Sequence, residues 1–336
     1  MSTWGLERID KLRSHAPSQG RESRVYLSLL AKGERIRPIE QDLVAAGFTG
    51  LVTVTAVTAT SSYVLVVAGT SYTVVAGSTD TKKTVANKLM ALINQSASHR
   101  AVNLRSSSGN WLFNVIGQAT FSLANTGTTT AGDLTVGSVA GSSTAIARGA
   151  TTITLPFAIR GKIPAGQWLQ FVDPSGFEYL AKITITAQDG ATTLNVAAIE
   201  EVIPAGSTCI YPPELTDRRE ASINDSYEWE GFRTFNTDGF EDAVFTGSSA
   251  EIALGGLYYE FDAGYRTISE GIRQGREFYA IVEYGNQREG YTKPRKEAVV
   301  GFANKEQPLS VDGLIEGNFS GKCLSPSVEL FSVLDA

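Results

Sequence analysis

Apolar residues recur at period two through much of this chain, the mark of half-buried strands. Leu51–Thr58 alternates in this way, Tyr63–Val67 follows, and Gly69-Thr70 leads into Tyr72–Val75. A glycine between two β-rich runs predicts a hairpin. The period then changes. From Thr81 to Asn94, the residues Val85, Leu89 and Leu92 fall with Ala86, Met90 and Ile93 on one stripe. That spacing predicts a helix, capped from Thr79-Asp80. Trp111–Val115 and Thr120–Ala124 return to strand, so the segment reads as a small ββαββ unit. Asn125–Ser143 is rich in Gly, Ser and Thr and reads as loop or short edge strands.

Further along, Ile163-Pro164-Ala165-Gly166 recurs as Ile203-Pro204-Ala205-Gly206. Between the copies lie Trp168–Val172, a turn at Asp173–Gly176, Tyr179–Ile185 and a turn at Asp189-Gly190. Strand and tight turn alternate, which predicts a small all-β module. Two copies of so short a word do not make a solenoid, which needs three or more stacked units.

The two ends are read in the same way. Trp4–Ser14 has helical spacing and is broken by Pro17, Ser18 and Gly20. Arg24–Leu30 reads as a strand. Pro38 stands at the first turn of a short helix, Ile39–Ala46, which Gly47 ends. Ala250–Phe261 reads as a long strand broken at Gly255-Gly256, Tyr265–Arg273 as an amphipathic helix stopped by Gly275, and Glu277–Glu283 as an alternating strand. Arg288–Arg295 is a loop. Ala298–Ala303, Leu314–Gly321 and Val328–Val333 are further strands. The fold class is mainly β (α+β): a β-sandwich or barrel with one packed helix, plus small β-rich domains.

Charge sharpens the boundaries. The 336 residues carry 29 Lys+Arg and 35 Asp+Glu, a net charge of −6, and 19% are charged. That is below the roughly 25% of an average soluble domain. Residues 46–148 hold few charges and are rich in Ser and Thr, whereas 214–336 hold roughly ten more acids than bases. Four segments follow: 1–45, an N-terminal arm with part of a core; 46–148, the Ser/Thr-rich ββαββ domain; 149–213, the small all-β module; and 214–336, a core domain. With 42% hydrophobic residues the chain is not disordered, and an acidic balance argues against a general nucleic-acid binder. No apolar run approaches the ~18 residues of a membrane span, and the first residues lack the apolar stretch of a secretory signal. A soluble protein made in a cytoplasm is expected.

Candidate chemistry is sparse. Cys209 and Cys323 are the only cysteines and read as two buried thiols. His15 and His99 are the only histidines and read as surface residues. No dinucleotide fingerprint, phosphate loop, zinc motif or nucleophile elbow is present. The acidic loop Asn236–Asp242 fails as a calcium loop. With Gly239 on the loop glycine, Thr234 takes the first ligand position and Phe245 the place of the bidentate Glu. Glu200-Glu201 and Glu228/Glu230 are the nearest thing to paired acids, and Trp111, Trp168 and Trp229 to sugar-stacking aromatics; surface acids and core tryptophans are the commoner condition. Lys293–Lys296 and the Arg8–Arg37 region are the basic clusters, read as loops in polar contacts. No catalytic, cofactor-binding or metal-binding residue is assigned, and the chain is not expected to be an enzyme.

The last third carries a resemblance. Glu251–Tyr265, the helix Arg266–Gly275, the strand Arg276–Tyr284 and Val311–Gly321 together resemble the tail tube (major tail) proteins of long-tailed bacteriophages, in order of elements and in pattern. The Thr-rich hairpin with Asp80–Asn94, and the Ile-Pro-Ala-Gly module with Asp189–Val196, look like segments that recur in phage virion proteins. The resemblance implies a virion structural protein of the tail, assembled in the host cytoplasm into hexameric rings that stack into a tube for DNA ejection. Its partners would be further copies of itself and tail proteins such as sheath, terminator or baseplate components. Genomic DNA would pass without specific binding, and no membrane or cofactor would be involved. Residues 46–210 would then be insertions on the outside of the tube. Ala250–Phe261 would pair across subunits, and the acidic C-terminal segment would face the lumen and repel phosphate. The alternatives are a distal tail or baseplate ring component, an adhesin-like protein binding surface glycans and, weakest, a carboxylate-pair hydrolase.

Overall fold

The computed structural model describes residues 24–31, 34–96, 98–127, 133–215, 218–232, 242–256, 262–283, 295–306, 318–325 and 328–330. The helix expected at Trp4–Ser14, the acidic loop 236–241 and His15 lie outside them. The chain divides into two compact units, one containing Pro38–Pro212 and the other Pro17–Arg37 with Pro213–Ser332. Among the described residues no helix is long and apolar enough to cross a membrane.

In chain order the strands are β1 (Arg24–Leu29), β2 (Gln41–Ala45), β3 (Gly47–Val54), β4 (Ser62–Val67) and β5 (Thr70–Val75). Helix α1 (Lys82–Ile93) precedes β6 (His99–Ser107), β7 (Asn110–Gly117), β8 (Leu123–Asn125), β9 (Leu134–Val136) and β10 (Ala140–Ser142). Then come β11 (Thr152–Thr154), β12 (Trp168–Val172), β13 (Glu178–Lys182), β14 (Thr193–Asn195) and β15 (Ser207–Tyr211). The rest are β16 (Glu214–Leu215), β17 (Arg218–Phe232), β18 (Asp242–Gly256), α2 (Ala263–Gln274), β19 (Phe278–Glu283), β20 (Arg295–Glu306), β21 (Asn318–Cys323) and β22 (Val328–Leu330). The protein is mainly β, with its sheets antiparallel.

In the first unit, β3, β4 and β5 precede α1 and β6 and β7 follow it, with the short strands β8, β9 and β10 after them, so one more strand stands before the helix than the expected ββαββ order has. One sheet runs β10-β3-β7-β6, with β9 also on β3, and a second runs β5-β4-β8. Helix α1 starts at Thr81, whose Oγ accepts from the Thr84 amide at 3.2 Å, so the cap is one residue beyond the expected pair. Its buried stripe is Val85, Ala86, Leu89 and Ile93, packed with Val52, Tyr63, Leu65 and Phe113 in one core. Each Val, Leu, Ile or Phe side chain among them contributes about 1.5–3 kcal/mol by leaving water. The helix end is tied down by Asn94, whose amide side chain takes the Ala101 N–H at 2.7 Å and gives to its carbonyl at 3.1 Å.

Two expectations change here. The short helix at Ile39–Ala46 is instead strand β2: Leu43 and Ala45 alternate onto a core and the backbone pairs with β15 from Gln41↔Tyr211 to Ala45↔Ser207. Partners distant in sequence outweighed a local helix signal. His99 is not a solvated loop residue but opens β6, with its ring 4.9 Å from Phe121, and burial holds its pKa below the usual imidazole value.

The remaining sheets of this unit are β13-β12-β15-β2 and the pair β11-β14. They enclose a core of Ile153, Ile163, Leu169, Phe171, Leu194, Ile203 and Tyr211, all fully buried.

In the second unit, an eight-stranded sheet runs β16-β1-β19-β20-β21-β18-β17, with β22 also on β20. Helix α2 covers one face. Asp262 caps it, its carboxylate accepting from the Tyr265 amide at 2.6 Å. Gly275 ends it at φ 61°, where the Arg276 and Gly275 amides bond to the Gly271 and Ile272 carbonyls. A left-handed residue there closes the last open carbonyls, and glycine adopts it without strain. Gly271 faces the sheet, where a Cβ would overlap the Phe278 ring and Leu29. The core beneath holds Val25, Leu27 and Leu29 with aromatic pairs Phe278–Phe302 at 5.1 Å and Tyr265–Phe319 at 5.2 Å.

This sheet curls. β20 and β17 stand three places apart, which in a flat sheet is about 14 Å at ~4.8 Å per strand. Lys296 of β20 nevertheless reaches the Ile223 carbonyl at 3.3 Å and Asp225 at 2.8 Å, both in β17. Its stem points with Ala298 and Val300 into the core side.

Candidate assembly surface

Strands β17 and β18 are each 15 residues long, against six for β21. Their ladder runs from Arg218↔Gly256 to Phe232↔Asp242. β21 accompanies β18 only over Glu251–Leu254. From Asp225↔Ala250 to Phe232↔Asp242 the two strands therefore continue as a two-stranded arm beyond the third, among the described residues. A bulge between Glu228 and Trp229 adds twist along it.

Two-stranded ribbons are marginal in water, because each strand leaves one row of backbone donors and acceptors unpaired. The expectation that Ala250–Phe261 offers an edge is corrected. β18 is paired on both sides over its inner half, by β17 and by β21, and residues 257–261 lie outside the described ones. Among the described residues β17 is the outermost strand at this end of the sheet, and β16 at the other. The alternation of β17 was legible at Ala221, Ile223 and Asp225 on the inner face against Ser222, Asn224 and Ser226 on the outer. Its contrast is faint because Ile223 alone of the inner three is strongly apolar; Ser249, Glu251, Ser320 and Lys322 of β18 and β21 share the polar outer face.

A charged cluster lies on the face of β19 and β20 opposite α2. Glu297 is 2% exposed. Arg37 grips it with two bonds, Nε to Oε2 at 2.7 Å and Nη2 to Oε1 at 2.8 Å. The Tyr279 hydroxyl donates to Oε2 at 2.7 Å, and Arg295 Nε lies 3.1 Å from Oε1. Burial alone would raise this carboxyl, but hydrogen bonds from Arg37 and Tyr279 and the charges of Arg37 and Arg295 outweigh it and hold its pKa below the usual carboxylate value. Burial next to that carboxylate pushes the Tyr279 phenol up. The basic clusters are thus absorbed in part: Arg37 and Arg295 serve Glu297, and Lys296 serves Asp225.

Among the described residues the other candidates are not brought into one site. Glu200 and Glu201 are adjacent and exposed, and the side chains of Glu228, Glu230 and Trp229 are outside the described set. Trp111 lies under Lys83 at 5.4 Å and Trp168 under Lys182 at 5.8 Å, so cations already occupy one face of each ring. Burial pushes the Cys209 thiol up to about 12; burial, with the charges of Asp225 and Glu251, pushes that of Cys323 up to about 11. Both are protonated near neutrality and poor nucleophiles. Among the described residues no group of three or more His, Cys, Asp or Glu could hold a metal ion. A cleft of about 300 Å³ brings His99 and Arg100 near Gln118, Pro174 and Gly206, with no carboxylate in its lining.

No family model matches the chain, and no curated protein matches it. A chain in the solved structure described as "Tail of empty GTA particle computed with helical refinement, C6 symmetry" is similar to it at 12% identity and a TM-score of 0.28, over 34% of this chain and 82% of that one.

Proposed function

We propose that the protein is a virion structural protein, the tail tube subunit of a long-tailed phage. On this reading it assembles into hexameric rings that stack into a conduit for DNA ejection, and it has no catalytic role. The observation that carries the reading is the two-stranded arm of β17 and β18. Among the described residues no third strand accompanies β18 from Ser226↔Ser249 outward, and a ribbon of that kind is stabilised when a neighbouring copy continues the ladder. Head-to-tail pairing of that kind closes a ring when the rotation between copies closes. The resemblance of Glu251–Gly275 and the strands after it to tail tube proteins points the same way.

An acidic lumen belongs to this reading, since acids repel phosphate and let DNA slide. On the outer face of β17, β18 and β21 the described charges are one acid, Glu251, and one base, Lys322.

The test is electron microscopy of the purified chain over a range of concentrations. Rings or stacked tubes with a central channel are expected. Monomers at every concentration, unchanged when the arm is shortened by removing 227–247, would sink the reading and favour a glycan-binding role. A ring that forms but does not stack would place the protein at the distal end of the tail or in the baseplate.

A further inference from the structure

The repeated Ile-Pro-Ala-Gly word marks a much longer repeat. Pro164–Gln167 and Pro204–Ser207 are the same turn: the amide of the fourth residue bonds to the first carbonyl at 3.2 Å in both, and the glycines sit at φ 88° and 82°. That is a type II turn, which needs a positive φ at its third position. Upstream, Gly149-Ala150-Thr151-Thr152-Ile153 answers Gly190-Ala191-Thr192-Thr193-Leu194, with glycines at φ 82° and 83°.

The hydrogen bonds repeat with the sequence. Ile146 and Ile203 exchange both backbone bonds, as do Ala187 and Ile163. The Gly149 amide bonds to the Ile199 carbonyl as Gly190 does to Ile159. Leu155 bonds to Thr192 as Val196 does to Thr151. Strands β11 and β14 pair about Ile153↔Leu194, so the two copies meet on a two-fold axis through that pair. The ladders match too: β12 takes β13 from Trp168↔Lys182 to Phe171↔Tyr179, and β15 takes β2 from Thr208↔Val44 to Tyr211↔Gln41. Burial follows suit, with Leu169, Phe171 and Ile163 answered by Cys209, Tyr211 and Ile203.

One difference remains. Ala46 bonds to the Thr154 carbonyl as Thr184 does to Asn195. In one copy Thr184 reaches Ala187 through Ile185 and Thr186. In the other, Ala46 reaches Ile146 only after residues 47–145. That stretch leaves and returns at one point, since Gly47 is the ladder partner of Ser142. We infer that residues 41–46 with 146–172, and 179–212, are two copies of one folding unit, and that residues 47–145 are a separate domain carried in one copy's turn. The unit is a carrier with two equivalent attachment turns, one filled by that domain and one closed by Ile185 and Thr186. The domain is docked as well as tethered, by Val102 and Ile116 on Val44 and Phe157 and by Asn103 on Asp42 at 2.8 and 2.9 Å.

Two measurements test this. In the intact chain, native-state hydrogen exchange in rising urea reads the openings of β3 and β7 separately from those of β12 and β15. The expected result is two isotherms with different urea dependence; a single shared opening overturns the inference. In the second, residues 47–145 of the full chain are replaced by Ile-Thr, with Val44→Thr and Phe157→Gln to cover the uncovered patch. Amides of Ile163, Gly166, Val196 and Gly206 should keep protection within about tenfold of the same pair of substitutions in the uncut chain. Loss of that protection in both β12 and β15, with the substituted uncut chain still folded, would also overturn it.

Discussion

The carrier unit and the curled sheet reach stability by opposite routes. In the carrier, the strands and turns of one copy recur in the other, and β2 alone comes from far along the chain, to pair with β15. In the curled sheet, β1 pairs with β19 and β16, and Lys296 crosses from β20 to β17, so partners come from far along the chain. The carrier closes its own hydrogen bonds around a two-fold pair, while the sheet extends a two-stranded arm past its third strand.

Core truncation separates the two most strongly. Phe278→Ala should cost about 3–5 kcal/mol, since the ring is fully buried against Phe302 and Gly271. Only the unfolding step of the second unit should move, by calorimetry or denaturant titration. Equal shifts in both steps would dissolve the contrast. Within the carrier, Ile153→Ala and Leu194→Ala should each cost about 2–5 kcal/mol and match one another within a kcal/mol or so, because each occupies the other's place across the axis. Clearly unequal costs in denaturant melts would show that the two copies no longer share energetics.

Glu297→Gln comes next, at about 1.5–3 kcal/mol for hydrogen bonds to a buried charge. The sign with pH follows from its lowered pKa. The carboxylate's contribution is present above the unfolded value near ~4.3 and is lost as pH falls through the lower folded value. The variant should therefore lose stability at pH 7 and show a flatter acid limb below about pH 4 for the second unit alone. An unchanged acid limb would assign that limb to other carboxylates. The smallest effect is Gly190→Ala, where a Cβ meets nothing within 4 Å and only the φ of +83° resists. About 1–2 kcal/mol is expected, and Gly149→Ala, at φ 82° in equal space, should cost the same. Thermal melts of the pair check it.

The places where local reading succeeded are those where chemistry is local. Thr-rich alternation, the stripe of Val85, Leu89 and Ile93, and Gly275 after Ile272 are decided by neighbours three or four residues away, so helix, strand and stop could be read directly. Gln41–Ala45 could not, because five residues after a proline carry too little pattern to choose between helix and strand until β15 supplies a ladder. His99 gave no sign of Phe121. Glu297 was one acid among 35, and only folding brought Arg37 to it across 260 positions of chain.

By itself, then, the sequence determined the β-rich class, the turns with their glycines, the single caps and the repeated word, because each depends on backbone conformations that a few residues prescribe. The tertiary structure alone decided that the word belongs to two copies about an axis, that a whole domain fills the turn of one, that β17 and not β18 ends its side of the described sheet, and that a carboxylate is held charged by Arg37. Those outcomes depend on pairings between distant segments, whose free energy appears only when both partners are in place.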